Sequence, residues 1–261
     1  MGTIGKALTL LDILAGMESE AGLTEIALAC GYDKATTRRF LVELEKHGFV
    51  EQHAQSRKYH LGAAPVRLAR IREARYPLLR TALPYVKRLV GQVDETVHLS
   101  EYSADRLSTI HVEDSSKAHR VFVDVGTFLP FHATASGLAF IAACSSAEIE
   151  AAIAGPLESF TGYTMTDAET FRRNIAETQA NGYSVGQQGM EVGVISAAAA
   201  IRAPGMRPVG TLAVAAPVSR TDHAAIHAFG RAVATAAEEI SDAFFGAGRE
   251  ARPQAQARRT G

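Results

Sequence analysis

LTEIALACGYDKATTRRFLVELEKHGFVEQHAQSRKYHLG, residues 23–62, is the stretch whose reading decides the fold. Residues 23–30 have the spacing of a short helix, with Thr24 as a candidate N-cap and Gly31 as a left-handed stop. Asp33 is placed to cap a longer helix over 34–47, ended by Gly48, with Phe40, Leu41 and Leu44 on its core side. Residues 49–52 and 58–61 read as short strands around a tip, Ala54-Gln55-Ser56-Arg57, that carries basic residues. Upstream, Ile4, Ala7, Leu8, Leu11, Leu14 and Met17 recur at helical spacing and predict a preceding amphipathic helix. Three helices and a basic hairpin in this order form a winged helix-turn-helix.

In that motif the first turns of the second helix of the pair enter the major groove of double-stranded DNA. Lys34, Thr36, Thr37, Arg38 and Arg39 crowd those turns. Arg can make paired hydrogen bonds to guanine, and Thr can touch a thymine methyl or a phosphate. Arg38 is expected to face DNA, and Arg39 either a phosphate or a neighbouring helix. In the wing, Arg57, Lys58 and Tyr59 are the candidate contacts to phosphate or minor groove. Any one of these charges alone would be an ordinary solvated residue; the ordered set carries the inference.

The run DKATTRRFLVELEKHGFVEQHAQSRKYHLG, ending on Tyr59-His60-Leu61-Gly62, resembles the winged domain of IclR-type transcriptional regulators. Ala35 stands where that family often has Ser, which removes at most one phosphate contact. The resemblance implies operator DNA as a partner and a ligand-sensing domain behind the winged one.

Residues 63–75 (AAPVRLARIREAR) suit a linker helix with Pro65 in its first turn. In proteins of this resemblance such a segment joins the domains and helps pair subunits, so a homodimer or dimer of dimers is expected. Beyond it, residues 76–93 read as a long helix interrupted by Pro77 and Pro84. Strands follow at 96–102, 107–113 and 121–125, then helices at 134–143, 146–154 and 167–181. Strands at 183–186, 194–201 and 209–215 and a helix over 222–245 complete the pattern. This is an α+β arrangement on a mostly antiparallel sheet. The expected domains are 1–62, 63–75, 76–246 and a Gly/Ala/Arg-rich tail, 247–261, read as disordered.

LPFHATASGLAFIAA (129–143), NGYSV (181–185), GMEVGVISAAAAI (189–201) and VGTLAVAAPVSR (209–220) resemble, in order, the IclR effector domain, a GAF-like sensor. Thr134-Ala135-Ser136-Gly137 puts small residues at a helix N-terminus, where open amides and the helix dipole would seat a carboxylate. The plainer reading is a Thr cap on a helix whose glycine packs against a strand. The resemblance places Gly186, Val194, Ser196, Ala213 and Ala215 around the same site, with His132 just before it. Ser196 replaces a common Cys, Gly186 an Asp found in some carboxylate-binding members, and Ala213 and Ala215 serines. With fewer polar groups and more volume, the expected effector is an aromatic or extended apolar carboxylate rather than a two- or three-carbon oxo acid. Gln187, Gln188 and Glu191 read as a loop at its edge.

The composition sets limits. The chain has 261 residues, is 47% hydrophobic and has a net charge of −1. Residues 1–75 hold 11 Lys/Arg and 9 Asp/Glu; residues 76–246 hold 12 and 18; residues 247–261 hold 4 and 1. The acidic middle would repel a polyanion, which leaves phosphate contact to the ends. No apolar run spans a bilayer and no leader pattern opens the chain, so a cytoplasmic protein without membrane contact is expected. Cys30 and Cys144 stand alone, which argues against a disulfide framework or a cysteine zinc site. HExxH and GxGxxG are absent from the sequence, GYSVG at 182–186 reads as a strand of the effector-domain resemblance and not as a nucleophile elbow, and His98, His111 and Glu101 make at most a weak metal set. No cofactor is expected. The alternative is an α+β enzyme acting on a small carboxylate; an architectural DNA protein would leave the acidic domain unexplained.

Overall fold

The computed structural model describes residues 2–250, the last four by backbone alone. The chain divides into two compact units after Pro77.

The first unit holds α1 (Thr3–Ala15), α2 (Leu23–Cys30), α3 (Lys34–Lys46), the hairpin β1 (Val50–Gln52) and β2 (Tyr59–Leu61), and α4 (Ala64–Arg75). Glycine rather than Thr24 is the N-cap of α2: Glu25 reaches back to the Gly22 amide at 2.6 Å. Gly31 stops α2 with φ +67°, and Asp33 caps α3 by accepting the Thr36 amide at 2.8 Å. Leu10, Leu14, Ile26, Phe40, Leu41, Val50 and Tyr59 make the core. The apolar stripe of α1 is thus centred on Leu10 and Leu14, one turn apart. Ile4 and Leu8, expected on the buried face, are 78% and 55% exposed, because α2 and β2 cover only one side of the helix.

The second unit is built on a five-stranded antiparallel sheet of order β4-β3-β7-β6-β5. The strands are β3 (Thr96–Ser103), β4 (Arg106–Glu113), β5 (Ser184–Gln187), β6 (Val194–Ile201) and β7 (Gly210–Pro217). One face carries α5 (Leu78–Val93) and α9 (His223–Glu250); the other carries α6 (Ala135–Ala142), with α7 (Ser146–Ala154) and α8 (Ala168–Asn181) behind it. Strand alternation sorts the faces. Ile195 and Ala197 pack on Ile226 of α9, whereas Ala198 and Ala213 pack on Ala135 and Ala139 of α6. Every residue of β7 is buried, since it is central and covered on both faces.

Three further expectations differ from the structure. Pro84 does not interrupt α5; it lies on the exposed side, where a missing N–H is least costly. Residues 121–125 are not a strand. The segment bonds to the β4 edge later, through Gly126, Thr127 and Leu129, while the Val121 carbonyl accepts the buried Thr96 hydroxyl at 2.7 Å. Residues 247–250 of the expected tail continue α9, and residues 251–261 lie outside the described residues.

Candidate functional site

The N-terminus of α3 is fixed by Asp33. Its carboxylate takes both the amide and, at 2.7 Å, the hydroxyl of Thr36; these bonds hold the acid below its usual range. Thr36 is therefore half-buried and tied to the cap. Lys34 and Arg38, four residues apart, are exposed on one face. Arg39 is also exposed, with its guanidinium 5.5 Å from the centre of the Phe40 ring. Thr37 does not belong to this surface. It is fully buried and gives its hydroxyl to the Asp33 carbonyl at 2.9 Å. On a helix whose next buried residues are Phe40 and Leu41, position 37 points inward.

The wing is shaped by backbone bonds across its tip. The His53 amide donates to the Lys58 carbonyl at 2.8 Å, and the Gln52 side chain to the Arg57 carbonyl at 2.7 Å. Arg57 (φ +58°) and Lys58 are exposed. Tyr59 is not: it is 6% exposed, paired through its backbone with Ala21, and part of the core. Alternation along β2 turns it inward directly after the outward Lys58, which removes it from the candidate DNA contacts.

In the second unit a cavity of about 330 Å³ opens beside the N-terminus of α6. Thr134, Ala135, Ser136, Gly186, Val194, Ser196 and Ala215 all line it. Ser196 and Ala215 are partners in the β6–β7 register, so they stand side by side on its floor. Thr134 caps α6, accepting the Gly137 amide at 2.9 Å. Ser184 holds the first turn from below through the Ala135 carbonyl at 2.7 Å. The Ala135 and Ser136 amides have no acceptor among the described residues. Gly186 keeps the approach to them open: a Cβ there would stand 2.8 Å from the Ala135 nitrogen and 3.1 Å from the Ser196 hydroxyl. Val121, Phe122 and Met190 close the cavity with apolar surface.

Two residues expected at this site lie elsewhere. Ala213 is fully buried between Ala135, Ala139 and Ala198, one layer beneath the cavity. His132 faces a separate cavity and hydrogen-bonds the Glu158 carbonyl at 2.8 Å, with Phe160 and Phe171 against its ring. In its place the structure brings in His98 of β3, whose Nε2 lies 3.2 Å from the Ser136 hydroxyl. Burial pushes this imidazole down to about 4, so it is neutral at physiological pH. Its Nδ1 is buried without a partner. In the sequence His98 stands out only as a weak metal ligand. That set does not assemble: His111 pairs with Leu99, the neighbour of His98, and so points to the other face of the sheet. Among the described residues no three His, Cys, Asp or Glu gather around a metal-sized space. Burial, then Glu148, push the Cys144 thiol up to about 11, which keeps it protonated and a poor nucleophile. Among the described residues no helix is long and apolar enough to cross a membrane.

Comparison with known proteins agrees with this geometry. Residues 74–242 match the model of the bacterial transcriptional regulator IclR C-terminal domain, and residues 3–54 that of the IclR helix-turn-helix domain. The chain is 30% identical over 218 residues to the glycerol operon regulatory protein of Streptomyces coelicolor, covering 84% of this chain and 85% of that protein. It is 26% identical over 247 residues to the transcriptional repressor IclR of Escherichia coli, covering 94% and 90%. The crystal structure of an IclR-type transcriptional regulator from Silicibacter sp. TM1040 superposes with a TM-score of 0.78 at 36% identity, covering 93% of this chain and 96% of that one. The chain belongs to the IclR family of DNA-binding transcriptional regulators.

Proposed function

We propose that the chain is a ligand-responsive regulator, not an enzyme, whose winged domain (1–62) is placed on operator DNA by a sensor domain (76–246) through the linker helix (63–75). Lys34, Thr36, Arg38 and Arg39 read or clasp the major groove, and Arg57 and Lys58 hold phosphate at the wing. Two copies, or a dimer of dimers, in the cytoplasm would engage paired half-sites.

The effector is an aromatic or extended apolar carboxylate. The observation that carries this reading is the pair of acceptor-free amides, Ala135 and Ser136, opening into a cavity of about 330 Å³ with an apolar roof. Open amides at a positive helix end favour an anion, and Val121, Phe122, Met190 and Val194 favour an apolar body. The neutral His98 adds no charge to compete with the helix end. In the same fold, an IclR homolog from Microbacterium hydrocarbonoxydans was solved complexed with 4-hydroxybenzoate. Ligand binding would act by favouring one spacing of the two winged domains, and so changing operator affinity. The test is a thermal-shift titration of the full chain with glyoxylate and pyruvate against a panel of benzoates and phenylacetates. Stabilisation by an aromatic acid is expected; tight binding of the small oxo acids alone would overturn the effector assignment.

A further inference from the structure

The larger cavity of the second unit, about 660 Å³, lies between α8, β5 and the first turns of α9. It shares Thr134, Gly186 and Gly189 with the ligand cavity as a common wall. Nothing in the regulator mechanism uses it. On its α9 side stand His223 and His227, four residues apart and therefore on one helix face. Their ring centres are 4.4 Å apart, and the two Nε2 atoms face each other at 3.2 Å. Among the described residues, which include all nine histidines, no other two imidazoles meet.

We propose that His223 and His227 form a two-imidazole binding site for a divalent transition-metal cation, with Tyr183 as the residue that orients His227. A cation bonded at about 2.0–2.1 Å to two nitrogens 3.2 Å apart sees them at an angle of roughly 100°, between octahedral and tetrahedral values. Both Nε2 atoms must then offer lone pairs, which places the proton of His227 on Nδ1. The Tyr183 hydroxyl sits 2.8 Å from that atom and accepts it. Metal-bound histidines are held in this way by a hydrogen bond at the second nitrogen.

The Tyr183 position is itself prepared by the chain. A Cβ on Gly230, three residues after His227, would stand 2.2 Å from the Tyr183 ring. Only glycine lets that ring lie against α9 with its hydroxyl at His227. The positive end of α9 opposes a cation, and the carboxylate of Asp222, which caps the helix through the Ala225 amide at 2.8 Å, offsets it. Glu177 adds a second negative charge across the cleft. His223 is exposed, so the remaining coordination positions open to solvent or to an anion. Imidazole donors select Zn²⁺, Ni²⁺ or Cu²⁺ over Mg²⁺.

The test is calorimetric titration of the metal-stripped full chain with ZnCl₂, beside electron paramagnetic resonance of the Cu²⁺-loaded chain. One Zn²⁺ per chain, two equatorial imidazole nitrogens on Cu²⁺ and no heat with MgCl₂ are expected. His223→Ala and His227→Ala should each weaken binding at least tenfold. Tyr183→Phe should weaken it by about tenfold with the stoichiometry unchanged. His223 is exposed, so its variant tests the site without disturbing the core; circular dichroism checks each variant. No Zn²⁺ binding, binding that survives both alanine variants, or a single copper-bound nitrogen would overturn the site.

Discussion

Replacing His98 by glutamine should remove a loss of stability that the native chain suffers as pH falls. His98 is 6% exposed, and burial lowers its imidazole from 6.5 to about 4. The folded state therefore refuses a proton that the unfolded chain accepts at about 6.5. A base depressed by folding leaves stability intact above that value and drains it as pH drops toward 4. The full difference is roughly 3 kcal/mol, of which roughly 2 kcal/mol develops between pH 7 and pH 5. Glutamine keeps a polar group near the Ser136 hydroxyl but cannot titrate. The chain has no tryptophan, so urea unfolding would be followed by circular dichroism at both pH values. The quantity of interest is the difference between native chain and variant, because other groups titrate equally in both. Imidazole NMR gives the direct reading, with His98 neutral down to about pH 4. A His98 midpoint near 6.5, or stabilities that fall in parallel, would refute the reasoning.

Arg38→Ala should lower specific operator affinity by about 1–3 kcal/mol with an unchanged melting curve, whereas an equal loss on all DNA in a gel-shift series would make Arg38 a phosphate contact. Thr37→Val should behave oppositely, costing about 1 kcal/mol of stability through the lost bond to the Asp33 carbonyl, with the Arg38 surface intact. Glu95 is 3% exposed, and although burial pushes its carboxyl up, the bonds from Arg220 and Lys117 outweigh this and hold it below its usual range. Glu95→Gln should destabilise the second unit by about 2 kcal/mol, between the exposed and buried ion-pair limits because both partners are partly solvated. The deficit should shrink as pH falls through the range where the native carboxylate takes its proton, measurable by unfolding from pH 7 to pH 3. Gly186→Ala should abolish the thermal shift from any carboxylate that stabilises the native chain, since its Cβ would crowd the Ala135 amide; an undiminished shift would move the carboxylate elsewhere.

The Asp33 cap, the Gly31 stop and the basic hairpin were legible in the sequence because caps, turns and apolar spacing act over a few residues. The same is true of Thr134 at the start of α6. The helix face at Thr37 and the strand face at Tyr59 were not, because both sit beside outward charged residues and only packing decides which way they turn. His98 lines the cavity beside α6, and Ala213 does not, through a strand register that joins β3 to β7 across more than a hundred residues. The His223–His227–Tyr183 cluster needed the same long-range closure, since the tyrosine comes from the edge of β5 and the histidines from α9. The sequence by itself thus determined the family and, apart from the strand expected at 121–125, the element order, both written in local chemistry. The tertiary structure alone decided which side chains share a cavity, because strand register and helix packing couple residues that no local pattern connects.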